Sequence, residues 1–145
     1  MFSKACEYAI RAMIFIAVKS QQGVRVGITD IADETGSPVS FTAKILQRLV
    51  KSNLLESLKG PSGGFVISDE RSERIRLSEI VTAIDGDLIY KGCALGFDEC
   101  NEDQPCPIHY KYKDIRADFK NMLEETTLRD LSNNITQGLS FLKRI

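Results

Sequence analysis

The feature that most constrains the fold is a pair of short helical segments separated by only Gly36-Ser37-Pro38. Thr29 is predicted to begin the first helix, because threonine is a favoured N-cap, and Gly36 to end it, because glycine readily adopts a left-handed conformation. Ser40 is predicted to cap the second helix. The inward positions of that helix are Ile45, Leu46, Leu49 and Val50. Two short helices joined by so tight a turn are typical of a helix-turn-helix.

A glycine-rich hairpin is predicted to follow the two helices. Leu54–Leu58 and Phe65–Ser68 are short segments rich in apolar or β-branched residues, and Lys59–Gly64 between them has the composition of a turn. Glycine lets the tip of such a loop enter a narrow groove, and Lys59 can neutralise a phosphate. The predicted fold class is therefore mainly α, a winged helix-turn-helix with a two-stranded wing.

The distribution of charge favours nucleic acid as the partner of this half of the chain. The formal net charge is −1, but residues 1–76 hold 11 Lys and Arg against 8 Asp and Glu. This half of the chain could therefore face a phosphate backbone, and together with the two motifs this favours binding to double-stranded DNA. The candidate DNA contacts are Thr29, Ser40, Phe41, Thr42, Lys44, Arg48, Lys59, Ser62 and Gly63. The alternatives are a purely structural helical hairpin and, for Phe41, a place in the core.

Helical periodicity also predicts a core-packed helix over residues 4–19. Its inward positions are Ala5, Ala9, Ala12, Met13, Ile16 and Ala17. Cys6 is expected to be a buried, unperturbed thiol in this helix, whereas Glu7 lies on its polar stripe. Further along the chain, Ser78 is predicted to cap a helix that ends at Gly86.

A long helix is predicted from Pro107, a residue suited to a first helical turn. Its apolar positions recur at alternating spacings of four and three, at Ile108, Tyr112, Ile115, Phe119, Met122 and Thr126. A helix of about 20 residues reaches about 30 Å, more than a domain of this size needs to cover its own core. We therefore predict a homodimer that pairs these helices. Packing within one chain is the alternative.

Three cysteines and the single histidine of the chain lie close together in sequence, as Cys93, Cys100, Cys106 and His109. Thiolates are preferred ligands of iron-sulfur clusters and of zinc, and the gaps of six and five residues exceed the spacing usual for structural zinc. This pattern favours a cluster, with His109 as the fourth ligand. Glu7 of the partner subunit ranks below His109. A zinc site, a metal-free thiol switch and incidental cysteines are the alternatives.

Other function classes find no support in the sequence. It has no Ser-His-Asp grouping, P-loop or dinucleotide fingerprint, so we predict neither an enzyme nor a small-molecule substrate. No apolar run reaches the roughly 18 residues that a membrane span needs. Met13–Val18 is too short for a secretion signal and lacks a cleavage-site pattern. We expect no membrane association and a cytoplasmic location, where thiols stay reduced.

Taken together, these motifs resemble the IscR/NsrR/CymR-type winged-helix transcription regulators. The resemblance rests on Ser40–Leu46, on Lys59–Phe65 and on the three-cysteine segment ending Cys106-Pro-Ile-His109, and it covers almost the whole chain. It implies a homodimer on a partly palindromic promoter site. The helix that starts at Ser40 would enter the major groove, and the wing Lys59–Gly64 the minor groove.

The resemblance also implies the ligands of an iron-sulfur cluster. Carried over by position, they are Cys93, Cys100 and Cys106, and we expect a [2Fe-2S] cluster in preference to [4Fe-4S]. The fourth ligand is His109 by similarity to the iron-sulfur biogenesis regulator. It is Glu7 of the partner subunit by similarity to the nitric-oxide-sensing and redox-sensing members.

The sequence departs from the family pattern at three places. The first cysteine gap has six residues where many members have five, Ser62 stands where glycine is usual, and Ala43 replaces an acidic residue of the iron-sulfur biogenesis regulator. The first change is compatible with a cluster. The other two bear on the choice of DNA sequence, and Ala43 argues against switching between operator classes.

The predicted organisation has three parts: a winged helix-turn-helix domain at residues 1–86, a cysteine-rich cluster-binding loop at 87–109, and a dimerisation helix with the C-terminal segment at 110–145. The predicted function is a homodimeric repressor that senses iron-sulfur, redox or nitric oxide status. A cluster-free regulator of the same fold, responding to thiol oxidation or a protein partner, is one alternative. A zinc-stabilised helical interaction module is the other.

Overall fold

The computed structural model describes residues 1–143, which form eight helices and one two-stranded sheet. The elements in chain order are α1 (Lys4–Gln21), α2 (Ile28–Thr35), α3 (Val39–Lys51), β1 (Glu56–Leu58), β2 (Gly64–Val66), α4 (Asp69–Arg74), α5 (Leu77–Asp85), α6 (Leu88–Lys91), α7 (His109–Glu125) and α8 (Leu128–Thr136). The predicted fold class is confirmed. Over this part of the chain, no helix combines the length and the apolar character needed to cross a membrane.

Helix α1 is the centre of the core, and it packs against α2, α3, α5 and α8. Most of its predicted inward residues are buried, including Met13 and Ile16 at 0% exposure, whereas Ala5 is only half-buried. Burying a side chain of that size contributes about 1.5–3 kcal/mol. The helix therefore serves as the platform on which the helix-turn-helix is built.

The helix-turn-helix forms as predicted, but its helices begin earlier than expected. Gly36 ends α2 with φ 70°, in the left-handed region that favours glycine. The N-caps are Gly27 and Pro38, so the predictions of Thr29 and Ser40 as caps are wrong. Ser78 is likewise inside α5, which is capped by Arg76. The backbone conformation at each N-cap determines where the helix begins. Pro38 has an extended backbone (ψ 142°), and the first helical residue of α3 is therefore Val39.

The wing is an antiparallel hairpin whose strands are shorter than predicted. Its register pairs Glu56 with Val66, Ser57 with Phe65 and Leu58 with Gly64. Leu54 and Leu55, predicted as strand residues, instead lie buried just before β1. Val26, between α1 and α2, forms an additional antiparallel bridge with Phe65. The wing is therefore attached to the body of the domain along its second strand.

The C-terminal region consists of two helices rather than one long helix and a tail. Helix α7 ends at Glu125, and α8 returns to pack against α1 and α4. Arg129 of α8 pairs with Asp69 at 3.4 Å and with Glu73 at 2.6 Å, and Leu128 is fully buried. Part of the predicted C-terminal segment therefore belongs to the core of the domain. Arg144 and Ile145, also in that segment, lie outside the described residues.

Candidate functional site

Helix α3 presents a polar face to solvent. Ser40 and Lys44, two of the predicted DNA contacts, are exposed on it, as is Gln47. Phe41 is half-buried and packs edge-to-face against Tyr8 of α1, with ring centroids 5.9 Å apart. Phe41 therefore helps to attach the start of α3 to α1. Thr29, in the first turn of α2, is exposed as well.

Thr42 does not belong to this exposed face. Its side chain is 3% exposed, and its hydroxyl donates a hydrogen bond to the carbonyl oxygen of Pro38 at 2.9 Å. This bond to the preceding turn satisfies the buried hydroxyl. The prediction of Thr42 as an exposed DNA contact is therefore wrong.

Arg48 connects α3 to the end of α5. Its Nη2 donates hydrogen bonds to the carbonyl oxygens of Ala83 at 3.1 Å and Ile84 at 2.7 Å. Carbonyl groups in the last turn of a helix lack partners within the helix, and a cation there is favoured by the helix dipole. Arg48 thus fixes the orientation of α3 relative to α5, and any contact with DNA is left to its remaining N–H groups.

The wing loop places Lys59 and Ser62 in solvent at its tip. The tight turn requires glycine at position 63, because a Cβ there would clash with the Leu58 carbonyl oxygen and lie 2.8 Å from that of Gly60. The loop tip is a compact turn, closed by a hydrogen bond from the backbone N–H of Gly63 to the Gly60 carbonyl oxygen at 2.9 Å. Arg25, which was not among the predicted contacts, donates a hydrogen bond from Nη1 to the Ser62 carbonyl oxygen at 3.0 Å. In the sequence, Arg25 is a single cation before Val26, and it lies outside both the predicted helix-turn-helix and the predicted hairpin.

The three cysteines and His109 line a single cleft. This cleft has a volume of about 620 Å³ and is formed by the cysteine segment and the first residue of α7. Its sulfur and nitrogen donors are Cys93, Cys100, Cys106 and His109, and all three cysteines are free thiols. The fold therefore brings together, around one cavity, the residues that the sequence predicted as ligands.

His109 is the most constrained of these residues. Its side chain is only 4% exposed, and its Nδ1 lies 3.2 Å from Sγ of Cys100. Its Nε2 is buried and has no hydrogen-bond partner among residues 1–143. A buried ring nitrogen without a partner is costly unless another group binds it. His109 is therefore suited to act as a ligand.

Cys93 lies in an environment that favours its thiolate form. Backbone hydrogen bonds from Leu95 and Phe97 lower the pKa of the Cys93 thiol, and the Cys106 side chain adds a smaller effect in the same direction. Thiolates are the form in which cysteine binds metals and reacts as a nucleophile. Cys93 is thus prepared for either role.

Three thiols and one imidazole are donor types that bind iron-sulfur clusters and zinc. Within the described 143 residues, no three His, Cys, Asp or Glu side chains converge closely enough to hold a single metal ion. Among these donors, Cys100 Sγ and His109 Nδ1 are in contact, at 3.2 Å. The orphaned Nε2 of His109 agrees with a missing binding partner.

Glu7 and Cys6 lie apart from the cleft. Glu7 forms an exposed ion pair with Lys4 at 3.4 Å, and it does not line the cleft of its own chain. Cys6 is fully buried, as predicted, but its thiol is perturbed. Burial, and then the negative charge of Asp85, raise the pKa of Cys6 to about 12. Cys6 is therefore a protonated core residue.

The cysteine segment is attached to both neighbouring helices. The hydroxyl groups of Tyr90 and Thr82 are 2.6 Å apart, which links α6 to α5. Arg116 of α7 donates from Nη1 to the Gly92 carbonyl oxygen at 2.9 Å. Further along, Lys113 pairs with Glu102. These contacts hold the cleft between the end of α5 and the beginning of α7.

A helix-turn-helix with an exposed polar second helix, followed by a two-stranded glycine-rich wing, defines the winged-helix class of DNA-binding transcription regulators. Within that class, the chain belongs to the Rrf2 family, described as iron-dependent transcriptional regulators, whose sequence profile matches residues 2–134. The predicted resemblance is thereby confirmed.

Individual relatives agree with this assignment. The chain is 32% identical to the HTH-type transcriptional regulator IscR of Serratia proteamaculans over 88% of this chain and 76% of the relative. CymR, the global cysteine regulator of B. subtilis, has a similar structure, with a TM-score of 0.74 and 22% identity over 92% of this chain and 96% of CymR. IscR of T. potens has a TM-score of 0.72 and 18% identity over 97% of this chain and 92% of that protein. The two structures show the shared fold, and the family shows that the chain is a transcriptional regulator, not an enzyme.

Proposed function

We propose that the chain is a homodimeric repressor whose affinity for promoter DNA depends on an iron-sulfur cluster held by Cys93, Cys100 and Cys106. His109 is the proposed fourth ligand. The observation that carries the proposal is the shared cleft, in which His109 is buried, touches Cys100 and has an unpartnered Nε2. When bound, such a cluster supplies a group that is readily oxidised, nitrosylated or lost.

DNA reading is assigned to α3 and the wing. The exposed Lys44 and Gln47 lie on the solvent face of α3, which would enter the major groove. Lys59 at the wing tip would neutralise a phosphate beside the minor groove. The buried stripe of α3 and the bonds of Arg48 hold this helix rigidly on the domain, which supports a role in reading base edges.

The outer face of α7 supports a dimer. Ile108, Ile115 and Met122 recur every seven residues and are 38%, 63% and 45% exposed. On the adjacent face of the helix, Leu123 is fully buried, and α7 packs against α5. A row of exposed apolar residues at heptad spacing is suited to pairing with the same helix of a second copy.

The cleft lies where it can influence this pairing. His109 is the first residue of α7, and its backbone N–H donates to the Cys106 carbonyl oxygen at 3.0 Å. A change at the cysteines therefore acts directly on the start of the proposed dimer helix. Because DNA half-sites repeat at about one helical turn, a changed crossing of two α7 helices alters the separation of the two α3 helices.

The proposed iron-sulfur cluster is tested by purifying the protein without oxygen. Visible absorption is then recorded, and the iron, sulfide and zinc contents are measured. We expect coloured protein containing iron and sulfide, and loss of both on changing any of Cys93, Cys100 or Cys106 to serine. Cys6→Ala is the matched control, because Cys6 is buried outside the cleft, and it should retain the cluster. Colourless, iron-free wild-type protein would overturn the proposal.

The fourth ligand is tested in the same way. His109→Ala should yield a labile cluster with altered absorption, whereas Glu7→Gln should behave as wild type. The reverse result would transfer the role to Glu7 of the partner subunit.

DNA binding is tested separately by retention of the protein on duplex DNA at moderate salt. Changing Lys44 and Lys59 together to glutamate should abolish retention, because phosphate contacts dominate affinity. Unchanged retention would contradict the DNA-binding surface. Zinc in place of iron, together with no retention of wild-type protein, would instead support the interaction module.

A second candidate is a cluster-free regulator that responds to thiol oxidation. It is favoured by the backbone groups that lower the pKa of Cys93 and by the lack of a three-donor cage within residues 1–143. It requires that iron-free protein bind DNA and lose affinity when treated with peroxide. Mass spectrometry would then find the oxidation at Cys93, and Cys93→Ser would remove the response.

A further inference from the structure

The segment between α1 and α2 is a structural part of the wing. The backbone N–H of Phe65 donates to the Val26 carbonyl oxygen at 2.8 Å, so Val26 acts as a short third strand. Gly64 allows this approach: it has φ 141°, and a Cβ there would lie 2.8 Å from the same oxygen. Residues next to Val26 are thereby held beside the wing loop.

Arg25 uses this position to reach the loop tip. Its Nη1 donates to the Ser62 carbonyl oxygen at 3.0 Å, in a contact between residues 37 positions apart. A guanidinium carries five N–H donors in a planar fork, so most of them remain available after this bond. Arg25 is exposed.

Arg25 has acidic neighbours but forms no ion pair with them among residues 1–143. These neighbours are Asp30, Asp33 and Glu34, which line the same cleft as Arg25. The wing loop therefore has two cations beside it, Lys59 in the loop and Arg25 alongside.

We propose that Arg25 is a further DNA-binding residue, which orders the wing tip through Ser62 and donates its remaining N–H groups to a phosphate beside the minor groove. The proposal rests on the proposed DNA-binding function. Its physical reason is that a guanidinium fork can bond the loop carbonyl and a phosphate oxygen together, with charge-assisted hydrogen bonds to the phosphate. Ordering the tip beforehand also reduces the entropy lost on binding.

The test measures how the affinity for DNA depends on salt. The probe is a duplex that the wild-type protein enriches from a random-sequence library, and binding is followed by fluorescence anisotropy between about 0.05 and 0.2 M salt. The variants are Arg25→Gln and Arg25→Lys. Lys120→Gln is the matched control, because Lys120 is an exposed cation on α7, away from the wing. Thermal unfolding verifies that each variant is folded.

Arg25→Gln should lower the slope of log affinity against log salt by about 1 for each subunit bound, which for two subunits means an affinity loss on the order of 30-fold at 0.15 M salt. Arg25→Lys should keep the slope but recover only part of the affinity, because the ammonium lacks the fork. Lys120→Gln should match wild type. A wild-type slope in Arg25→Gln, whether or not affinity falls, would overturn the proposed phosphate contact. If wild-type protein enriches no duplex, the DNA-binding function itself fails.

Discussion

Replacing Gly63 by alanine tests whether the shape of the wing tip matters for DNA binding. The added methyl group would clash with the Leu58 carbonyl oxygen and lie 2.8 Å from the Gly60 carbonyl oxygen, whereas carbon and oxygen normally approach to about 3.3 Å. Both obstacles are backbone atoms of the turn, so the turn itself must deform. Overpacking of this kind costs about 1–3 kcal/mol.

The unbound protein avoids most of this cost because the wing loop relaxes, and the cost returns on DNA binding, which needs the original turn. Gly63 is in a half-exposed loop, and the loop can distort while the helices stay packed. We therefore expect a small change in the free energy of unfolding but a loss of DNA affinity of roughly tenfold or more, because about 1.4 kcal/mol corresponds to a factor of ten.

Fluorescence anisotropy with an enriched duplex measures the affinity, and urea unfolding measures the stability. Gly27→Ala is the matched control, because Gly27 has φ −86° and no atom lies within 4 Å of an added Cβ. Its affinity should equal that of wild type. Wild-type affinity in Gly63→Ala would refute the reasoning that a defined wing tip contributes to binding.

Leu123→Ala should lower the free energy of unfolding by about 2–5 kcal/mol in urea unfolding, because the fully buried side chain leaves a cavity between α7 and the domain; a loss below that range would mean that the site collapses around it. Ile115→Asp should convert the protein to a monomer in analytical ultracentrifugation without unfolding it, because Ile115 is 63% exposed in the single chain. A dimer in that variant would contradict the proposed interface. Burial and Asp85 raise the pKa of Cys6 from 9.0 to about 12, so the folded state retains a proton that the unfolded state loses. Stability should therefore fall as pH rises from about 9 towards 12, and Cys6→Ala should fall less steeply over that window; parallel pH curves for the two proteins would contradict the raised pKa.

The helix-turn-helix and wing could be predicted because local chemistry determines them. Gly36 has the left-handed backbone that its position required, and the hairpin loop occurs where glycine and proline accumulate. Thr42 could have been recognised as buried, since it stands three, four and seven residues before Ile45, Leu46 and Leu49. The hydroxyl group suggested an exposed residue, but tertiary packing and the bond to Pro38 outweighed it.

The C-terminal seam was harder to predict because α7 has two apolar faces. The seam predicted from the sequence combined Tyr112 and Phe119, which are half-buried within the chain, with Ile115 and Met122, which are exposed. One of these faces packs on the domain, and the other is accessible to solvent. Apolar residues at alternating spacings of three and four occur on both, so the spacing alone cannot show which residues belong to which face. The contact between Arg25 and Ser62 could not be predicted either, since it joins residues distant in sequence.

The carboxyl end of α5 is where the proposed sensor and the proposed DNA reader meet within one subunit. Arg48 of α3 bonds to Ala83 and Ile84 there, and the neighbouring Asp85 accepts a hydrogen bond from the backbone N–H of Ser3 at 2.9 Å. Tyr90, three residues before Cys93, bonds to the same helix.

Each of these hydrogen bonds contributes only about 1 kcal/mol, but their geometry is shared, so moving the end of α5 would strain several together. Under the proposed function, a change at Cys93 would therefore reach α3 through α5 as well as through the crossing of two α7 helices. The two routes can be distinguished by Arg48→Gln, which would weaken the route through α5 and leave the dimer intact. If the α5 route contributes, the affinities of the cluster-bound and cluster-free forms for DNA should differ less in that variant than in wild type, because the link between the cleft and the recognition helix is lost.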